Sequence, residues 1–266
     1  MTKCVLFLVL FAVLIAAPAT ARVDPINFGD TLYRRSVCNG SIDSLSFDGN
    51  AGDRVVMFVT WCSDYGGNCR PGCCCFDLAS EIKDSNGNLV RQNASGLNSN
   101  HCSWSLRLAL TDIRLANSGK HIITTHDVNY SGGGQFSITL QRTSAPEGQI
   151  ELLEPGYTWI KSIDGCGTTH TYQFQGVAGD SVTVSMVRYG EGSGVNPRLE
   201  LYRLDGTLLG KPGNGLIDRV YLPASGLYTV LAYSAYNETG TYQLSLNAKP
   251  TPVQPTTWGL LKSRYQ

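Results

Sequence analysis

The cysteines are the residues whose type and spacing first suggest chemistry. Nine occur in the 266 residues, at 4, 38, 62, 69, 73, 74, 75, 102 and 166. Cys62-x6-Cys69-x3-Cys73-Cys74-Cys75 concentrates thiols in one short stretch. Thiolates ligate zinc, but zinc sites favour Cys-x2-Cys pairs with histidine partners, and here only His101 beside Cys102 stands near. Adjacent cysteines in an extended chain point apart, which suits bridges to separate partners such as Cys38 and Cys102. The expectation is a disulfide framework drawn from Cys38, Cys62, Cys69, Cys73, Cys74, Cys75, Cys102 and Cys166, with no metal. Eight cysteines allow about 105 connectivities, so the pairing stays open. Only Cys166 falls in the second half, so if all eight pair internally, one bridge joins the halves.

Other reactive constellations are weaker. The histidines are His101, His121, His126 and His170, and no His-Glu-x-x-His or Gly-x-Ser-x-Gly pattern accompanies them. Asp84-Ser85-Asn86-Gly87-Asn88 resembles a calcium loop, yet its glycine comes too early for the EF-hand pattern and no glutamate closes it. A tight hairpin turn is expected there and no cofactor, with calcium at the sandwich ends as the alternative. Glu147, Glu151 and Glu154 could be paired acids, but a solvated linker face is the simpler reading. Tyrosine is the remaining recognition chemistry, concentrated from Tyr157 onward. Alternation turns Tyr228, Val230 and Ala232 inward and leaves Thr229, Leu231 and Tyr233 outward. Tyr189, Tyr233 and Tyr236 are therefore expected to form an aromatic binding surface for sugar rings or an extended polypeptide.

The elements that position these residues come in two copies. Phe47-Asp-Gly-Asn-Ala-Gly-Asp-Arg-Val55 returns as Phe174-Gln-Gly-Val-Ala-Gly-Asp-Ser-Val182. Each copy runs from one short apolar stretch into another with a period of two, the mark of a half-buried strand. Ala-Gly-Asp between them is turn chemistry. Glu81 to Val90 is echoed by Glu200 to Leu209, with Asn-Gly or Asp-Gly as the hairpin signal. Leu115-Ala-Asn-Ser-Gly119 matches Leu222-Pro-Ala-Ser-Gly226, and Gly134 to Ile138 matches Gly240 to Leu244. His121 and His126 then stand where the second copy has Tyr228 and Tyr233.

Composition bounds the rest. Basic and acidic residues balance at 21 each, so no net field attracts nucleic acid. Residues 1–21 read as a secretory signal with Lys3, an apolar run to Ala16 and the Ala19-Thr20-Ala21 cleavage pattern. That run is short for a membrane span, and none is expected in the mature chain. The expected division is 22–142 for the first module with its cysteine-rich insertion and 143–154 for a linker. The second module takes 150–248, overlapping the linker, and 249–266 form a proline-rich spacer and short tail. The fold class expected is all-β, two tandem jelly-roll-like β-sandwich domains. The location expected is secreted, at the cell surface or in a periplasm.

The Phe-x-Gly-x-Ala-Gly-Asp-x-Val element, the Asp/Asn-Gly hairpin and the Ala-x-x-Gly turn together resemble the bacterial pre-peptidase C-terminal domain, here in tandem over residues 27–248. The resemblance implies a jelly-roll sandwich like those attached to secreted proteases, related to collagen-binding modules. No peptidase domain precedes the two copies in this sequence, and the cysteine-rich insertion is foreign to the family pattern. The expected role is non-catalytic: a binding or surface-structural protein for polysaccharide or extracellular polypeptide. The alternatives are an accessory, chaperone-like partner of a secreted protease and an enzyme built on the cysteine-rich loop.

Overall fold

The computed structural model describes residues 22–36, 42–64, 78–94, 107–128, 134–210 and 214–249. The first half contributes β1 (Asp24–Pro25), β2 (Thr31–Ser36), β3 (Ile42–Gly49), β4 (Arg54–Asp64), β5 (Leu78–Lys83), β6 (Leu89–Ala94), β7 (Arg107–Arg114), β8 (Gly119–Asp127) and β9 (Gly134–Arg142). The second contributes β10 (Ile150–Leu152), β11 (Thr158–Ile163), β12 (Thr169–Gly176), β13 (Ser181–Arg188), β14 (Pro197–Tyr202), β15 (Leu208–Gly210), β16 (Leu216–Tyr221), β17 (Gly226–Ser234) and β18 (Gly240–Lys249).

The repeated motifs become the same turns, braced in the same way. Gly52 and Gly179 take φ of +94° and +86°, conformations that a Cβ would disfavour. Their amides donate to the carbonyls of Leu115 and Leu222, both at 2.8 Å. The serine of the Ser-Gly echo closes each turn from outside. Ser118 Oγ accepts from Ala51 N at 2.8 Å, and Ser225 Oγ accepts from Ala178 N at 2.9 Å. Two motifs far apart in sequence thus pack as one unit, twice.

Strand order repeats as well. In the first half β1-β3-β8-β5-β6 faces β2-β9-β4-β7; in the second β10-β12-β17-β14-β15 faces β11-β18-β13-β16. Each pair of sheets encloses its own core. Val55, Met57, Val59, Phe136, Ile138 and Leu140 belong to the first. Tyr172, Phe174, Val182, Val184, Tyr228, Val230, Tyr242 and Leu244 belong to the second. The protein is all-β, built of two β-sandwiches.

The sandwiches are stacked. The outer face of β4 and β7 meets the outer face of β14, β15 and β17, where Val56, Phe58, Tyr202, Leu231 and Tyr233 form a third buried cluster with Ala109 and Leu208 at its margin. Three side chains of β9 and the residue after it are buried at the same junction. Thr139 Oγ1 donates to Gly167 O (3.1 Å), Gln141 Nε2 to Thr171 Oγ1 (3.1 Å) and Thr143 Oγ1 to Gly206 O (2.8 Å). Gly167 lies so close that a Cβ there would stand 1.9 Å from Ser137 Oγ. Cys62 and Cys166 cross-link the halves, with Cα atoms 5.5 Å apart. Cys166 therefore makes the inter-half bridge that full internal pairing required. Cys38, Cys69, Cys73, Cys74, Cys75 and Cys102, with most of the insertion, lie outside the described residues, as do residues 1–21 and 250–266.

Candidate functional site

The three expected tyrosines are divided by the fold. Tyr189 and Tyr236 are 44% and 39% exposed, whereas Tyr233 is 5% exposed. Tyr233 does point away from the core of its own sandwich, as alternation required, but what it meets is the first sandwich. Its ring packs 4.8 Å from that of Phe58, and its hydroxyl donates to Glu200 Oε1 at 2.9 Å. Burial and the neighbouring Glu200 carboxylate push its phenol pKa far up. Tyr233 is a junction residue and leaves the exposed aromatic surface.

Tyr189 and Tyr236 remain, on loops braced against each other. Tyr189 N donates to Thr241 O (3.0 Å), Gly194 N to Thr239 O (3.1 Å) and Ala235 N to Asn196 O (2.8 Å). Ser193 Oγ donates to Thr241 O at 2.7 Å, and Ser234 Oγ accepts from Asn196 N at 3.0 Å while donating to Glu238 at 2.8 Å. Val195 anchors the 189–196 loop by being fully buried in the second core. Asn237 Nδ2 reaches Cys62 O at 3.3 Å, so this end adjoins the disulfide and the start of the cysteine-rich insertion. The arrangement holds two half-exposed rings on ordered backbone, which limits the entropy that ligand capture would cost.

The junction contains a partly buried cation that the sequence reading missed. Arg107 lies between two rings, its guanidinium carbon 4.2 Å from the centroid of Phe58 and 4.1 Å from that of Tyr233. It donates to Ser234 O (3.1 Å) and Thr169 Oγ1 (2.6 Å). Burial lowers its pKa to about 10, against the fields of Tyr233 and Glu200 that hold the proton on. Glu200 is fully buried and also accepts from the Tyr202 hydroxyl. A legible signal existed in β4 and β17. Val55-Val-Met-Phe-Val59 and Tyr228-Thr-Val-Leu-Ala-Tyr233 are nearly continuous apolar runs, the pattern of strands covered on both faces.

The remaining candidates are accounted for locally. Asp84 is the hub of its turn: Oδ1 accepts from Asn86 N (2.9 Å) and Asn88 N (2.8 Å), and Oδ2 from the amides of Asn88 (3.2 Å) and Asn117 (2.8 Å). These donors, the Asn88 backbone first, hold its pKa below the ordinary aspartate value. Glu147 pairs with Arg142, and Glu151 with Lys161 at 2.6 Å. His121 is buried against Phe47, ring centroids 5.1 Å apart. His170 Nδ1 lies 2.5 Å from Tyr242 Oη, which lies 2.6 Å from Tyr172 Oη. Burial lowers the His170 pKa and raises that of Tyr172 to about 12. Among the described residues no group of three or more His, Cys, Asp or Glu side chains is placed to hold a metal ion. Among them, too, no helix is long and apolar enough to cross a membrane.

Fold and site together define a two-sandwich β protein with a fixed junction and an exposed pair of tyrosines. No family model and no curated protein matches the sequence. Among solved structures, the chain is similar to the pre-peptidase C-terminal domain of collagenase from Bacillus anthracis, at 19% identity over 38% of this chain and 97% of that one, TM-score 0.33. A periplasmic inhibitor of g-type lysozyme from Aeromonas hydrophila matches at 18% identity over 38% of this chain and 98% of that chain, TM-score 0.30. Tandem CBM51 modules of a family 98 glycoside hydrolase from Streptococcus pneumoniae match at 10% identity, covering 79% of this chain and 83% of that chain, TM-score 0.26.

Proposed function

We propose that the protein is an exported, non-catalytic binding or surface-structural component that presents the loop end of its second sandwich to carbohydrate or extended polypeptide. The observation that supports this reading is the pair Tyr189 and Tyr236, half-exposed on mutually hydrogen-bonded loops beside the inter-module disulfide. Tyrosine offers apolar area and a hydroxyl with few torsions to freeze, which suits both ligand classes. A screen of the mature chain against immobilised glycans and extracellular-matrix proteins is the direct test. For a ligand found there, Tyr189→Ala and Tyr236→Ala should each weaken binding by about 1–3 kcal/mol, the range of an interface anchor, without moving the melting temperature. No ligand in the screen, or unchanged affinity in both variants, refutes the reading.

A further inference from the structure

The two sandwiches share strand order, but of two equivalent faces only one is covered by a second sheet among the described residues. In the second sandwich the outer face of β12, β17 and β14 is sealed by the first. In the first, the corresponding face of β3, β8 and β5 has no such cover among the described residues. Sequence echo and strand register place Glu81 where the second copy has Glu200, and His126 where it has Tyr233.

The covered copy shows what a glutamate in this register does. Glu200 accepts hydrogen bonds from two hydroxyl groups, those of Tyr202 and Tyr233. In the open copy Glu81 Oε1 likewise accepts from a hydroxyl, Thr124 Oγ1 at 2.9 Å, and also pairs with Lys83 Nζ at 2.8 Å. That lysine, helped by Thr124 and opposed by burial, sets the carboxyl pKa below its ordinary value, so the group is an acceptor at neutral pH. The second oxygen, Oε2, has no hydrogen-bond donor from the described chain. Glu81 borders a recess of about 390 Å³ whose other walls are Ala79, Ser80, Gln92, Asn93, Ala94 and His126. Ala79 and Ala94, cross-strand partners, supply only methyl groups to the lining. Gln92, exposed on β6, adds an amide that can donate and accept. The Glu81–Lys83 pair leaves little net charge at the wall.

We propose that this recess is a second binding site, separate from the tyrosine end, for a neutral polyhydroxylated ligand, namely an oligosaccharide. Its hydroxyls take the place that the Tyr202 and Tyr233 hydroxyls occupy on Glu200. An acceptor carboxylate, a two-way amide and two methyl groups match the hydroxyls and C–H groups of a pyranose. The site does not depend on Tyr189 or Tyr236.

The test titrates cellohexaose, maltohexaose and chitohexaose into the 15N-labelled mature protein and follows amide shifts. At least one should shift the amides of residues 79–81, 92–94 and 126 together at about 10 mM or below. Glu81→Gln and Ala94→Leu should each weaken that binding about tenfold with unchanged melting temperature, and Tyr236→Ala should leave it alone. Absence of those shifts with all three sugars, or shifts that survive both recess variants, overturns the proposal. Loss in Tyr236→Ala instead would place the sugar at the tyrosine end and also overturn it.

Discussion

Replacing Arg107 with methionine tests the account of the junction most directly. The variant keeps an apolar stem between Phe58 and Tyr233 but removes the guanidinium. Two hydrogen bonds from a charged donor, to Ser234 O and Thr169 Oγ1, disappear, each worth about 1.5–3 kcal/mol. Two ring contacts at 4.2 and 4.1 Å go with them, each worth about 0.5–2 kcal/mol. Against that, the variant no longer confines a cation away from water, a cost of several kcal/mol. The net loss should be about 3 kcal/mol, at the low end of the range for breaking a buried charge network. In a chain of this size each kcal/mol moves the midpoint by about 2–4 °C, so calorimetry of the oxidised protein should show a drop of roughly 6–12 °C. Pairing it with Glu200→Gln completes a cycle, and the two should couple by at least about 0.5 kcal/mol because Glu200 helps hold the Arg107 charge. A drop under about 2 °C, or strict additivity, would show that the cation does not pin the sandwiches.

The Cys62–Cys166 bridge closes a separation of 104 residues. Replacing both with serine should cost about 2–5 kcal/mol in guanidinium unfolding, and a loss under about 1 kcal/mol would refute its structural weight. His170 predicts a pH effect. Burial depresses its folded pKa below the unfolded value of about 6.5, so the neutral ring contributes full stability above that pH. As pH falls from about 6.5 toward the folded pKa, the unfolded chain takes the proton first and stability declines. Urea midpoints at descending pH should fall less in His170→Gln than in the parent, and identical profiles would rule the residue out.

The sequence by itself determined the strands, the turns and their duplication. Ala-Gly-Asp and Asp/Asn-Gly act within a few residues: glycine takes the positive φ and the aspartate or its neighbours close the turn, whatever lies further off. Period-two alternation likewise separates Tyr228, Val230 and Ala232 from Thr229, Leu231 and Tyr233, because side-chain direction in a strand is local geometry. Even the inter-half disulfide was legible, as an option, from the lone Cys166. Only the tertiary structure decided what covers the second face of β17. Alternation says that Tyr233 and Leu231 leave the core, but solvent and a neighbouring sheet lie in the same direction. That choice rests on Phe58, Arg107 and Glu200, brought together from strands distant in sequence, and their fit depends on how two finished sandwiches stack. The same stacking buries Glu200 fully while Glu81 stays partly exposed, so near-identical local patterns end in different environments.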